Sequence, residues 1–150
     1  MPHTYSRILL LVVFSTKNRR PSLNGEITSR LFPYMGGIIR ESDAKMLAVN
    51  GTTDHVHLLL SLPTGLSITD LMRTVKTRSS KWIHETMSGA RSFAWQPGCG
   101  AFSVSESNVE QVKQYIADQE EHHRKVSFME ECLMLLRKHS IEFDEEMLWK

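Results

Sequence analysis

The 150-residue chain is 41% hydrophobic and 23% charged with a formal net charge of +1, which fits one globular domain and excludes a disordered polymer. Charge is unevenly spread, since residues 1–91 carry 12 Lys/Arg against 6 Asp/Glu and residues 92–150 carry 6 against 11. A basic front allows an anionic partner such as nucleic acid, although two ordinary solvated faces account for the same numbers.

Ile8–Phe14 is a continuous apolar run that reads as a buried strand. Its seven residues are too few to span a bilayer, and no small-residue cleavage site follows, so no membrane association is expected. The loop from Ser15 to Pro21 carries Lys17, Arg19 and Arg20, which suit DNA phosphates or a solvated turn equally. Residues 24–41 fit a helix, with Pro33 and Gly36-Gly37 predicting a kink or break. The two glycines predict close packing on a sheet. Lys45–Asn50 and His55–Leu62 form a predicted hairpin around Gly51–Asp54.

In the second of these strands, side-chain alternation places His55 and His57 on one face, about 7 Å apart, and Val56, Leu58 and Leu60 on the other. Two such imidazoles can share one divalent ion if a third ligand arrives from elsewhere; alone, the pattern is more often structural.

Ser67 and Asp70 make a weak capping box for a helix reaching about Met87. Ile68, Leu71, Met72, Val75, Ser79, Trp82 and Ile83 form its inner stripe, and Arg73, Lys76, Arg78 and Lys81 its basic face. Ser92–Gln96 and Ala101–Ser105 read as two short strands joined by Pro97-Gly98-Cys99-Gly100, with Trp95 and Phe102 in the core. Cys99 and Cys132 lack paired spacing, so neither a disulfide framework nor a zinc ribbon is indicated, and a reducing, cytoplasmic location is expected.

Ser107 and Glu110 form a second predicted capping box, opening a helix to about His123. Tyr115 and Gln119 share one of its faces, where a tyrosine is also an ordinary edge-of-core residue. A last helix begins at Ser127 and Glu130, with Phe128, Cys132, Leu133 and Leu136 as its apolar side. An acidic segment from Ile141 closes the chain on Leu148-Trp149. No interdomain linker interrupts residues 1–150, so a single domain is expected, with 124–150 as a C-terminal helical and acidic extension. The order of elements implies an α+β two-layer fold, helices on an antiparallel sheet, ferredoxin-like.

Five segments, in order, carry a resemblance: Asp54-His55-Val56-His57-Leu58-Leu59, Val75–Ser80, Trp95–Gly98, Phe102–Ser105 and Tyr115-Ile116-Ala117-Asp118-Gln119. Together they resemble the single-tyrosine HUH transposases of bacterial insertion sequences and the transposases associated with repetitive extragenic palindromes. The resemblance runs from about Phe14 to His123. It implies an RRM-like HUH fold and a DNA transposase that cleaves and rejoins single-stranded DNA beside a hairpin through a covalent 5′-phosphotyrosine. It further implies Tyr115 as nucleophile and His55, His57 and Gln119 as ligands of Mg²⁺ or Mn²⁺. Lys17, Arg19, Arg20, Arg73, Lys76 and Arg78 are then expected on the DNA backbone. Some members of the family pair as homodimers that share tyrosines and others act as monomers; a homodimer is expected here, with Ser105–Asn108 as the connection that permits either arrangement. Two rival readings are a domesticated, non-catalytic binder of hairpin DNA and a phosphoesterase in which water attacks and Tyr115 is structural.

Overall fold

A computed structural model describes residues 4–148. The elements follow as β1 (Ile8–Ser15), α1 (Gly25–Glu41), β2 (Lys45–Gly51), β3 (His55–Leu62), α2 (Ile68–Thr86), β4 (Gly100–Val104), α3 (Val109–Ala117), α4 (Gln119–His122), α5 (Phe128–Lys138) and α6 (Glu145–Leu148). The four strands form one antiparallel sheet in the order β2-β3-β1-β4. This is the α+β, ferredoxin-like arrangement, two strand-helix-strand units with their strands interleaved.

Both faces of the sheet are covered, so the domain has three layers rather than the expected two. β1 is apolar on both sides, and one layer of helices hides only one of them. Val12, Phe14, Val56, Leu58 and Leu60 lie in the cluster with Leu31, Met35, Ile38 and Ile39 of α1 and Leu71, Val75 and Ile83 of α2. Leu9, Leu11, Val13, Leu59 and Phe102 lie in a second cluster with Val109 and Ile116 of α3 and Phe128 of α5. Full burial of each such side chain contributes about 1.5–3 kcal/mol before chain entropy is subtracted.

The expected break in α1 is absent; one helix runs through Pro33 and both glycines. Asn24 caps it by accepting from the Ile27 amide at 2.9 Å. At Gly36 a Cβ would lie 2.9 Å from Cε at the movable end of Met46 on β2, while Gly37 has nothing within 4 Å, so of the two glycines only Gly36 lies close against the sheet. Ser67 caps α2 as expected, accepting from the Asp70 amide at 3.0 Å. Ser79, polar within the buried stripe, accepts from Trp95 Nε1 at 3.0 Å.

Ser92–Gln96 is not a strand. Only Thr16 and Trp95 bridge, and the Gln96 amide donates to the Ser15 carbonyl at 2.9 Å. This segment and β4 lie in line along one edge of β1, separated by Pro97-Gly98-Cys99, instead of pairing with each other. The second capping box also fails to form. Ser107 Oγ meets Ser105 Oγ at 3.1 Å, and a 3₁₀ turn over Glu106–Asn108 leads into α3. The helix expected to reach His123 is interrupted at Asp118. Its physical cause is Asn50 on β2, whose Nδ2 donates to the Ile116 and Ala117 carbonyls at 3.0 and 3.2 Å. Those carbonyls would otherwise accept from the next helical turn. The acidic segment forms only α6, and Trp149 lies outside the described residues.

Candidate active site

The site is built on the first residues of β3. His57 sits opposite Val13 of β1 and Asn50 of β2, and it shares with His55 and Leu59 the sheet face beneath α3–α5. The preceding hairpin fixes the first imidazole. The Thr52 amide donates to the His55 carbonyl at 3.1 Å, and at Gly51 a Cβ would come within 2.3 Å of that oxygen, so only glycine fits. His55 Nδ1 donates to Asp54 Oδ1 at 2.7 Å. A carboxylate on Nδ1 selects the tautomer whose Nε2 presents a lone pair to the site.

That lone pair faces another. Gln119 is fully buried, and its Nε2 donates to the Tyr115 carbonyl at 3.2 Å, which turns Oε1 to His55 Nε2 at 3.4 Å. In the tautomer that Asp54 selects, both facing atoms are acceptors, an arrangement a cation relieves. Both ring nitrogens of His57 are buried without an aligned hydrogen-bond partner. Burial holds the His57 pKa below the ordinary imidazole value, a shift the neighbouring Glu131 opposes only in part, so the ring is a neutral donor. Two imidazole nitrogens, that of His57 an orphaned buried atom, and one amide oxygen fit a divalent metal of mixed N/O preference.

Sequence reasoning missed Glu131. This α5 residue is 1% exposed, and its Oε1 lies 2.8 Å from His57 Nε2 and 3.2 Å from His123 Nε2. Its Oε2 lies 3.2 Å from His122 Nε2 and accepts a hydrogen bond from the Tyr115 hydroxyl. Burial pushes the carboxyl pKa up, but the hydrogen bond from His123 and the closeness of the His57 ring outweigh it and hold Glu131 well below the carboxylate range. Burial, then the Glu131 hydrogen bond and charge, push the half-buried Tyr115 phenol far above its ordinary value. Glu131 follows Phe128 by three residues and adjoins Cys132, so a carboxylate inside the apolar stripe of the last helix was the available signal. Phe128 itself stacks on His55 with ring centroids 4.5 Å apart.

The six expected DNA contacts come from residues 17–20 and from α2, and Arg19 lines one cavity with Phe128 and Cys132 of α5. Lys17 and Arg19 form a 3₁₀ turn tied to the 94–96 segment through the Lys17 amide and Ala94 carbonyl at 2.9 Å, and Arg20 follows it. Lys76 reaches the same segment, donating to the Gln96 carbonyl at 2.9 Å and to the Gly98 carbonyl. Arg73 and Arg78 stand on α2, paired with Asp70 at 3.0 Å and Glu41 at 2.7 Å.

A sequence model of the IS200-like transposases matches residues 4–119. The chain belongs to this family. Among IS200-like transposases it is 26% identical to the ISDra2 transposase TnpA of Deinococcus radiodurans over 115 residues, covering 72% of this chain and 81% of that protein. It is also 26% identical to the IS200 transposase of Salmonella typhimurium over 85 residues, covering 57% of this chain and 56% of that one. Two solved structures share the fold. A transposase-described protein of Deinococcus radiodurans superposes with a TM-score of 0.66 at 23% identity, covering 78% of this chain and 94% of that one. A REP-associated tyrosine transposase bound to a REP hairpin superposes with a TM-score of 0.59 at 18% identity, over 77% and 68%. The family match ends at Gln119, so α5 and Glu131 lie beyond it. Among the described residues, no helix of this transposase is long and apolar enough to cross a membrane.

Proposed function

We propose that this IS200-like transposase cleaves and rejoins single-stranded DNA beside a hairpin, with Tyr115 as nucleophile and His55, His57 and Gln119 as ligands of Mg²⁺ or Mn²⁺. The observation that carries the reading is the meeting of Gln119 and Tyr115 with the two histidines of the same chain at one buried point. The hairpin substrate is supported by the REP hairpin bound to one structural neighbour. A DNA substrate puts the activity in the cytoplasm.

A divalent metal held by His55, His57 and Gln119 would supply Lewis-acid polarisation of a non-bridging oxygen of the scissile phosphate. Tyr115 Oη attacks phosphorus, and the bond from phosphorus to the 3′ oxygen breaks. The proton lost by the phenol is balanced by the one the leaving oxygen takes up as a free 3′-hydroxyl, and the 5′-phosphate stays on Tyr115. Attack by another strand's 3′-hydroxyl reverses these changes and regenerates the phenol. One phosphodiester is exchanged for another, so ATP is not needed. Asp54 holds the His55 tautomer, and Asn50 holds the end of α3 that carries Tyr115. Lys17, Arg19, Arg20, Arg73, Lys76 and Arg78 neutralise backbone phosphates, so binding weakens with salt.

One observation favours a second reading, a hairpin-DNA binder without catalysis: the Tyr115 hydroxyl is bonded to a buried carboxylate and is poorly nucleophilic in that state. Tyr115→Phe separates the two. Under the catalytic reading it lowers strand cleavage at least about a thousandfold and leaves hairpin binding within a factor of about two. Wild-type protein that binds the hairpin tightly and never cuts it supports the binder. Cleavage that survives the substitution points to water as nucleophile.

A further inference from the structure

Glu131 is the one carboxylate of the described residues that is buried at the site, and it comes from a helix outside the family match. A buried carboxylate is stable only when cations or several donors surround it. The surroundings meet this demand incompletely. His123 gives a hydrogen bond at 3.2 Å and Tyr115 another. The two shortest remaining contacts, from His57 Nε2 at 2.8 Å and His122 Nε2 at 3.2 Å, have ion-pair lengths without hydrogen-bond alignment. At His57 the nitrogen and the carboxylate oxygen approach to 2.8 Å without hydrogen-bond alignment, a closeness that two ligands of one ion also show. The donor atoms of His55, His57 and Glu131 all lie within 4.8 Å of one another.

We infer that Glu131 is a further ligand of the metal held by His55, His57 and Gln119, so that α5 completes the metal site and is fastened down by it. This rests on the metal reading above. The chemistry favours it on two counts. Two neutral imidazoles and an amide leave the full double charge of the ion in a buried place, and one carboxylate halves it. A carboxylate also shifts the donor set toward the oxygen-rich coordination that Mg²⁺ and Mn²⁺ prefer. Glu131 then has a function at each oxygen: Oε1 meets the metal beside His57, and Oε2 holds the nucleophile Tyr115. Residues 123–127 join α4 to α5, so metal binding and the seating of α5 are linked.

The test is titration of the full chain with Mn²⁺ alone, without DNA, read by the electron paramagnetic resonance of free Mn²⁺. Glu131→Gln keeps the shape and removes the charge, and it is expected to weaken binding at least about tenfold, the scale seen when even outer groups of a metal site are removed. His123→Gln loosens the same contact while keeping the carboxylate, and it is expected to bind Mn²⁺ within about threefold of wild type. Mn²⁺ is also expected to slow amide exchange across 128–138 in the wild type and much less in Glu131→Gln. Equal losses in His123→Gln and Glu131→Gln would mean that α5 had merely loosened, and would overturn the inference. Wild-type affinity in Glu131→Gln together with lost binding in His57→Ala would also overturn it, leaving the histidine site intact; faster cleavage in that variant would mark Glu131 as a plug over Tyr115. Undiminished binding in both His57→Ala and Glu131→Gln would remove the metal reading itself.

Discussion

The two faces of the sheet obey different rules. Beneath α1 and α2 the buried layer is apolar, from Phe14 and Leu58 to Leu31 and Ile83, apart from Ser79, whose hydroxyl Trp95 satisfies. Beneath α3–α5 an apolar half around Leu11 and Ile116 adjoins a polar half where His55, His57, Gln119 and Glu131 are all buried. The same strands serve both, since Val56 and Leu58 alternate with His55 and His57 along β3. Apolar burial lowers free energy whatever the neighbour's identity, whereas each buried polar group needs a particular partner. One face therefore accounts for stability, and the other gives up stability for chemistry.

The largest expected effect tests the first face. Leu58→Ala, in a fully buried position, is expected to cost about 2–5 kcal/mol in urea unfolding, while cleavage per folded molecule is unchanged. A large loss of specific activity in molecules that remain folded would mean the faces are not separable.

A smaller effect belongs to the polar face. Asp54→Asn keeps the shape of the residue that orients His55 and is expected to weaken Mn²⁺ binding about 10–100-fold with little change in the unfolding midpoint. Unchanged affinity would leave the His55 tautomer without a controlling partner.

The smallest effect is acid sensitivity, and its sign follows from three groups. Glu131 is held below its ordinary value, so its stabilisation is complete above about pH 4.5 and is lost as pH falls through the lower folded value. His57 is also lowered by burial, so protonation of the unfolded chain below about pH 6.5 subtracts stability as well. His123 works the other way. Burial lowers it, but Glu131 outweighs this and raises it, so its contribution is full below about pH 6.5 and lost at higher pH. The net result is a shallow profile near neutrality that steepens below about pH 4.5, and Glu131→Gln should flatten the acid limb. Urea midpoints at several pH values measure it; identical acid limbs in wild type and variant would break the contrast.

The apolar face was legible because its signals are local. The Ile8–Phe14 run, the alternation of β3 and the stripe of α2 each follow from spacing, and the Ser67 cap acts over three residues. What was illegible depends on distant partners. Asn50 interrupts the helix after Ala117 from a strand more than sixty residues earlier. Trp95 is drawn to Thr16 at the edge of β1, which leaves Ser92–Gln96 as a bridge instead of a strand. At the site, His55, His57, Tyr115 and Gln119 stood out through the family resemblance and not through local spacing, and they meet in the fold. Glu131 carries no local mark except its place among Phe128, Cys132 and Leu135, and its partners reach it only when α5 folds back over β3.

The central claim is that Tyr115 takes the DNA strand onto itself. The most direct measurement incubates the protein with single-stranded hairpin DNA from the flanks of its own gene and Mn²⁺, isolates any denaturation-resistant adduct, and maps the linked peptide by mass spectrometry. A 5′-phosphate ester on Tyr115, absent with EDTA and in Tyr115→Phe, is the expected result. Cleaved DNA without an adduct, or an ester on another residue, would contradict it.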